Sequence, residues 1–238
     1  MNNIIISKIF IIHLKESIKR EIHIKNEFKR MELTNYEIFD AISGDSKEVK
    51  DKFNSGFVKK PPCFRCSLSK CKHVNKVLNK RQIGNWCSYI NLMKKIVDEK
   101  ISGLIMICED DIKFMMNYHV IMDKLITKEV FDQYKIDINK PILIRLGGIS
   151  CKKQIHPYMK RLKLIKKKVM SNPCFLINLQ FAESFINNLR KINTTSDIFI
   201  HIKLINIDNN IQDFTLIPQI AHDLSYGPIK KFKSTIRV

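Results

Sequence analysis

The run from Gly103 to Asp111, Gly-Leu-Ile-Met-Ile-Cys-Glu-Asp-Asp, constrains this chain more than any other stretch. An apolar run of that length, bounded by polar residues, predicts a strand buried on both faces, as in parallel sheets covered by helices. Three acids at its carboxyl end fall where open α/β sheets hold their ligands. Like charges this close repel, so the site favours a cation. Hard carboxylate oxygens suit Mg²⁺ or Mn²⁺. The alternative is a strand followed by a solvated acidic turn.

The flanking sequence supplies the rest of an α/β sheet. Lys8 to Leu14 predicts a first, mostly buried strand, and Ser17 an N-cap for a helix with Ile18, Ile22, Ile24, Phe28 and Met31 on its apolar face. Arg20 falls in the first turn of that helix, close to the strand's carboxyl end. Tyr36 to Ala41 alternates like a second strand, and Ser43-Gly44-Asp45-Ser46 is turn chemistry. Trp86, Ile90, Met93 and Val97 predict the buried face of a helix over 85–98. Residues 111–134 are expected to be helical. Strands are expected at 142–146, breaking into the turn Gly147-Gly148, at 174–177, and last at 214–218. The tail 229–238 is basic and is expected to be mobile.

At 238 residues the chain suits one large domain or one domain with an insertion. Its net charge of +19 implies attraction to anions, whether nucleotides, nucleic acid or an acidic surface. Part of that excess follows from the Lys, Ile and Asn that crowd every segment. Two stretches, 56–81 and 151–168, each carry eight basic residues and no acid. The first holds Cys63, Cys66, Cys71 and His73, a ligand set that suits a closed, structural tetrahedral Zn²⁺ site; incidental thiols in an exposed loop are the alternative. The second is expected to be a surface hairpin or loop. No apolar run is long enough to span a bilayer, no signal peptide is recognisable, and the 7 cysteines suit a reducing, cytoplasmic compartment.

The ordered set of features resembles glycosyltransferase family 25, the group of lipopolysaccharide and collagen galactosyltransferases. Phe10 to Leu14 followed by Arg20 is similar to the family's opening Ile-Asn-Leu strand with its Arg. Asp40-Ala41-Ile42-Ser43-Gly44 resembles its Asp-Ala-x-x-Gly stretch. Gly84 and Ser88 match its Gly-Cys-x-x-Ser-His motif, and Leu104 to Asp111 its strand ending in Glu-Asp-Asp. Leu146 to Gly148, Cys174 to Ile177, Asp197 and Ile217-Pro218 follow in the order of its weaker motifs. Three positions depart from the pattern: His13 stands for the usual Asn, Asn85 for the motif Cys and Tyr89 for the motif His.

The resemblance implies a GT-A-type α/β fold with a central, mostly parallel sheet, as one transferase domain over 1–228 with a Cys-rich insertion at 56–81. It implies an inverting, Mn²⁺-dependent (or Mg²⁺-dependent) transfer of a hexose, galactose or glucose, from a UDP-sugar to a hydroxyl of a protein or glycan. Glu109 and Asp111 are the candidate metal ligands. His13, Arg20, Asp40, Ala41, Gly84, Ser88, Asp110 and Gly147 are candidates for substrate binding. Inversion needs a base for the acceptor hydroxyl, and Asp197 is the candidate, with a helix N-cap for Ile198 onward as its alternative. His222 is either a further metal ligand or a surface histidine, the surface being the better reading.

Two other classes compete. A basic zinc-knuckle protein would bind nucleic acid, but aromatic residues are not interleaved with the basic runs as base stacking requires. A catalytically degenerate transferase fold is compatible with Asn85 and Tyr89.

Overall fold

The computed structural model describes residues 5–58, 63, 68, 71–72, 76–148, 163–166, 171–225 and 231–235. The chain opens with β1 (Ile6–His13), α1 (Ile18–Arg30), β2 (Tyr36–Asp40) and α2 (Lys47–Asn54). After the basic stretch come α3 (Lys80–Asp98), β3 (Leu104–Glu109) and β4 (Ile112–Phe114), then α4 (Tyr118–Leu125) and α5 (Lys128–Gln133). The second half contains β5 (Ile142–Arg145), β6 (Gly147–Gly148), β7 (Lys163–Ile165), β8 (Cys174–Ile177) and α6 (Leu179–Asn188). It continues through α7 (Ser196–Ile198), a π-helical turn over Phe199–Lys203, α8 (Leu204–Ile207), β9 (Gln212–Ile217) and β10 (Ala221–Asp223).

Seven strands form one sheet in the order β2-β1-β3-β8-β5-β9-β7. The alternation of β1 and β3 builds a core on each face. Phe10, Ile12, Ile105 and Ile107 meet α3 and α6. Ile9, Ile11, Met106 and Cys108 meet α1 and α4. Both faces of β3 are therefore buried, as its apolar run predicts, and its acids emerge at the sheet's carboxyl edge.

The sheet is mixed, which corrects the expectation of a mostly parallel one. β1 runs parallel to β2 and β3, and β5 to β9, whereas β8 is antiparallel to both its neighbours and β7 to β9. Cys174 to Ile177 is apolar at every position, and a strand buried on both faces looks the same in either direction.

A second sheet, β4-β10-β6, sits beyond the carboxyl end of β3. Its strand β4 replaces the helix expected from residue 111. Ile112 and Phe114 are buried while Lys113 between them is exposed, a two-residue period too short to stand out beside the following helix. The Ser43 to Ser46 turn leads into α2, whose cap is Ser46 accepting from Val49 N at 3.3 Å. The helix expected from residue 85 begins at Lys80, closed by a reciprocal box between Asn79 and Gln82.

Gly84 lies where α3 crosses the loop after β2. A Cβ there would stand 2.5 Å from the Ile42 carbonyl oxygen, a backbone atom with little room to yield. Ser88 Oγ accepts from Ile42 N at 2.8 Å and donates to Gly84 O at 2.9 Å, fastening the same loop. Gly84→Ala is expected to lower stability by about 1–3 kcal/mol through this clash. The midpoint of urea unfolding checks it, and an unchanged midpoint would mean that the loop moves freely.

No helix among the described residues is long and apolar enough to cross a membrane. Of the proposed zinc ligands, Cys63 is buried and Cys71 partly exposed, while Cys66 and His73 lie outside the described residues. Of the basic stretch 151–168, residues 163–166 are described, and Lys163–Ile165 form the edge strand β7.

Candidate active site

The carboxyl ends of β1 and β3 lie side by side, Ile12 opposite Glu109. That register brings His13 up to the acids. Its Nδ1 lies 2.7 Å from Asp110 Oδ2. Arg20 reaches in from the first turn of α1 and forks across two carboxylates, Nη1 to Asp110 Oδ1 at 2.6 Å and Nη2 to Asp111 Oδ2 at 2.9 Å. All four of these side chains are buried.

The helix is clamped so that Arg20 stays there. His23 Nε2 contacts Ile112 O at 2.8 Å. Glu27 Oε1 accepts from Phe114 N at 2.6 Å, and Arg30 Nη2 donates to Phe114 O at 2.9 Å. Each bond joins α1 to β4, the strand that follows the acids.

A fourth carboxylate comes from β10. Asp223 pairs with Ile112 across the small sheet, and Leu224 N donates to Asp111 O at 2.8 Å. Ser225 holds Asp223 Oδ1 through its N–H at 2.7 Å and its hydroxyl at 2.9 Å. Sequence reasoning singled out the neighbouring His222 and passed over Asp223. His222 turns away toward Met115 Sδ at 2.9 Å, and burial pushes its imidazole below its usual range. Strand β10 is only three residues long, too short for its period to single out Asp223.

The tail also contributes. Lys233 O accepts from Arg20 Nη2 at 2.8 Å, and the Phe232 ring lies 5.5 Å from the Arg20 guanidinium carbon. Residues 231–233, expected to be mobile, are docked on α1 against a site residue.

Crowding of acids sets the electrostatics. Burial, then repulsion from Asp111, Asp223 and Asp110, pushes the Glu109 carboxyl well above the ordinary carboxylate range, with Arg20 opposing. Burial pushes Asp111 up to about 6; Arg20 pulls it back, and Asp223 and Asp110 reinforce the rise. Asp111 Oδ1 and His13 Nε2 are buried without a hydrogen-bond partner. Such atoms are costly to leave unmatched in a resting fold.

A carboxyl with a raised folded pKa binds its proton more tightly folded than unfolded. Its contribution to stability is complete below its unfolded value near 4 and is lost as pH rises through about 6. Asp111→Asn removes that titration. The metal-free wild type should therefore lose up to about 3 kcal/mol relative to Asp111→Asn between pH 4 and 6.5. Parallel denaturant melts at the two pH values check this, and a constant difference would contradict it.

The family model for Glycosyltransferase family 25 (LPS biosynthesis protein) matches residues 6–200, most of the chain and all of the β1–β3 apparatus. The chain belongs to glycosyltransferase family 25. No curated protein matches it. As a family 25 glycosyltransferase it carries an α/β fold whose large mixed sheet is flanked by helices.

Not every candidate residue converges. His13, Arg20, Glu109, Asp110 and Asp111 form one cluster. Asp40 is exposed at the end of β2 and paired with Lys15 at 2.8 Å. Ala41 N donates to His13 O at 2.8 Å, and Gly84 and Ser88 brace the loop beyond it. Gly147 backs onto β10, where a Cβ would lie 2.5 Å from Ala221 O. Asp197 lies in the first turn of α7, whose N-cap is Thr195, so the N-cap alternative for Asp197 is excluded.

The two motif departures are both engaged. Asn85 Oδ1 accepts the Ser196 hydroxyl, tying α3 to the turn that carries Asp197. Tyr89 is fully buried, stacks on Phe175 at 6.4 Å and donates to Glu109 Oε1 at 3.4 Å. Burial first, and then Glu109, push its phenol well above the usual range; Asp197 adds to the rise, so the hydroxyl stands within reach of both acids' fields.

Among the described residues no three metal-ligating side chains are arranged to hold an ion. Two carboxylates are nevertheless what Mg²⁺ and Mn²⁺ commonly take from a protein when substrate phosphates complete the shell. Asp111 Oδ1 is unpartnered and the Glu109 carboxyl is repelled by its neighbours, whereas Asp110 is already held by His13 and Arg20.

Proposed function

We propose that this family 25 glycosyltransferase moves a hexose, galactose or glucose, from a UDP-sugar to a hydroxyl of a protein or glycan, with inversion at the anomeric carbon. The observation that carries the reading is the acid-capped end of β3, gathered with Arg20 and holding a buried, unpartnered Asp111 oxygen.

In this mechanism Arg20 sits between acids that would otherwise repel the donor's diphosphate, and it lowers the cost of bringing that anion close. Glu109 and Asp111 would hold Mn²⁺ or Mg²⁺. When bound, that ion neutralises charge developing on the departing diphosphate. Asp110, fixed by His13 and Arg20, orients these groups. Asp197 takes the proton of the acceptor hydroxyl as its oxygen bonds to the anomeric carbon on the face opposite the leaving group. The bond from that carbon to the diphosphate breaks, and its electron pair leaves with the nucleoside diphosphate.

Calorimetric titration with UDP, with and without Mn²⁺, tests the donor side. Saturable binding strengthened by Mn²⁺ is expected. Absence of nucleotide binding, together with tight and steeply salt-dependent oligonucleotide binding, would replace this reading by the nucleic-acid one.

A further inference from the structure

One buried polar chain takes no part in the chemistry above. It begins at Arg145, the last residue of β5, whose guanidinium is held by Asp213 and by Phe214 O at 3.2 Å. Arg145 Nε donates to His201 Nδ1 at 2.9 Å, and Nη2 donates to His201 O at 3.2 Å. His201 is carried inward by the π-helical turn, a local widening often found at functional sites.

The direction of every bond is fixed. An arginine only donates, so His201 Nδ1 is the bare nitrogen. Burial, then the Arg145 charge, keep His201 neutral, and its one ring proton sits on Nε2. Nε2 donates to Asn172 Oδ1 at 2.6 Å. Asn172 lies beside the Tyr89 hydroxyl and favours its ionised form, as a neighbouring amide N–H donor does. Tyr89 has one proton to give and directs it at Glu109 Oε1, 3.4 Å away. Arg145, His201, Asn172 and Tyr89 are each at least 97% buried.

We infer that Arg145, His201, Asn172 and Tyr89 form a one-way hydrogen-bond chain whose final O–H fixes the Glu109 carboxylate in the site, making Tyr89 a positioning residue for sugar transfer. The inference rests on the transferase reading only in giving Glu109 work to do. A chain built for stability alone needs any acceptor at its end; this one ends on the acid cluster. The Tyr89–Glu109 link is long, at 3.4 Å, and bonds of this kind commonly tighten once substrate is bound. A neutral histidine ring likewise donates a single hydrogen bond, so it could replace the phenol as the donor.

Two readouts test this separately. Long-range ¹H–¹⁵N NMR of the histidine side chains should show His201 with a bare Nδ1 and a protonated Nε2. The reversed tautomer overturns the chain whether or not the protein transfers sugar. In steady-state kinetics Tyr89→Phe, which keeps the ring and its stacking, should lower kcat roughly tenfold to a hundredfold. Donor KM and the melting temperature should be little changed, and Tyr89→His should restore at least part of kcat. Wild-type kcat in Tyr89→Phe, or a His variant as impaired as the Phe one, overturns the positioning role. Failure of the wild type to turn over any nucleotide sugar counts against the transferase reading instead, and with it against any task for Glu109.

Discussion

Arg20→Met is expected to lose about 3–5 kcal/mol of stability, the usual cost of removing one partner from a buried ion pair. Arg20 is the only guanidinium facing Asp110 and Asp111 among the described residues, and all three side chains are at least nine-tenths buried. Methionine fills the space of the stem but leaves both carboxylates without their cation. Glu109 and Asp223 then act on them unopposed. The tail loses its anchor as well, because Lys233 O and the Phe232 ring both rest on the guanidinium. Arg20→Lys keeps the charge but not the fork, and should recover only part of the loss. Denaturant unfolding at pH 7 measures this. A Met variant within 1 kcal/mol of wild type, on the order of an exposed pair, would show that the acids are solvated and not held by Arg20.

Asp111→Asn should produce the opposite combination, a chain at least as stable as wild type at pH 7 and nearly inactive. Its stability follows from the raised folded pKa of Asp111: the protein prefers an uncharged group there. Its inactivity follows from the loss of the buried carboxylate oxygen that has no partner in the fold. Removing one preorganised charge-stabilising group typically lowers turnover about a hundredfold to a thousandfold. A stable, inactive variant marks a residue kept for function at a cost to the fold. If the variant kept its activity, the metal role assigned to Asp111 would be lost.

The central part of this site was legible in the sequence because it is local. The apolar run and its acids are contiguous, and Arg20 follows β1 by a fixed spacing within one helical turn. The strands β1, β3 and β8 were visible because a mostly apolar segment is distinctive whatever its direction, and β2 because its residues alternate. Direction itself was not visible, and so the reversal of β8 was missed. Asp223 was hidden because β10 has only three residues and reaches the acids by pairing with β4, more than a hundred positions earlier. The docking of Phe232 and Lys233 on Arg20 is equally long-range, and a short basic tail gives no periodic signal for it. Gly84, Ser88 and Gly147 were recognised as motif positions, and their close backbone approaches show what those positions do: they brace loops and the small sheet behind the acids. Asp197 and Tyr89 were visible as residue types, but their shared surroundings exist only in the folded chain.

The most direct test of the account is release of nucleoside diphosphate from a panel of nucleotide sugars, with Mn²⁺, by the wild type and Asp111→Asn in parallel. The wild type should turn over a UDP-hexose, and the variant should remain folded yet lose nearly all of that turnover. Equal turnover by both proteins, or none by the wild type with any donor and acceptor, would contradict it.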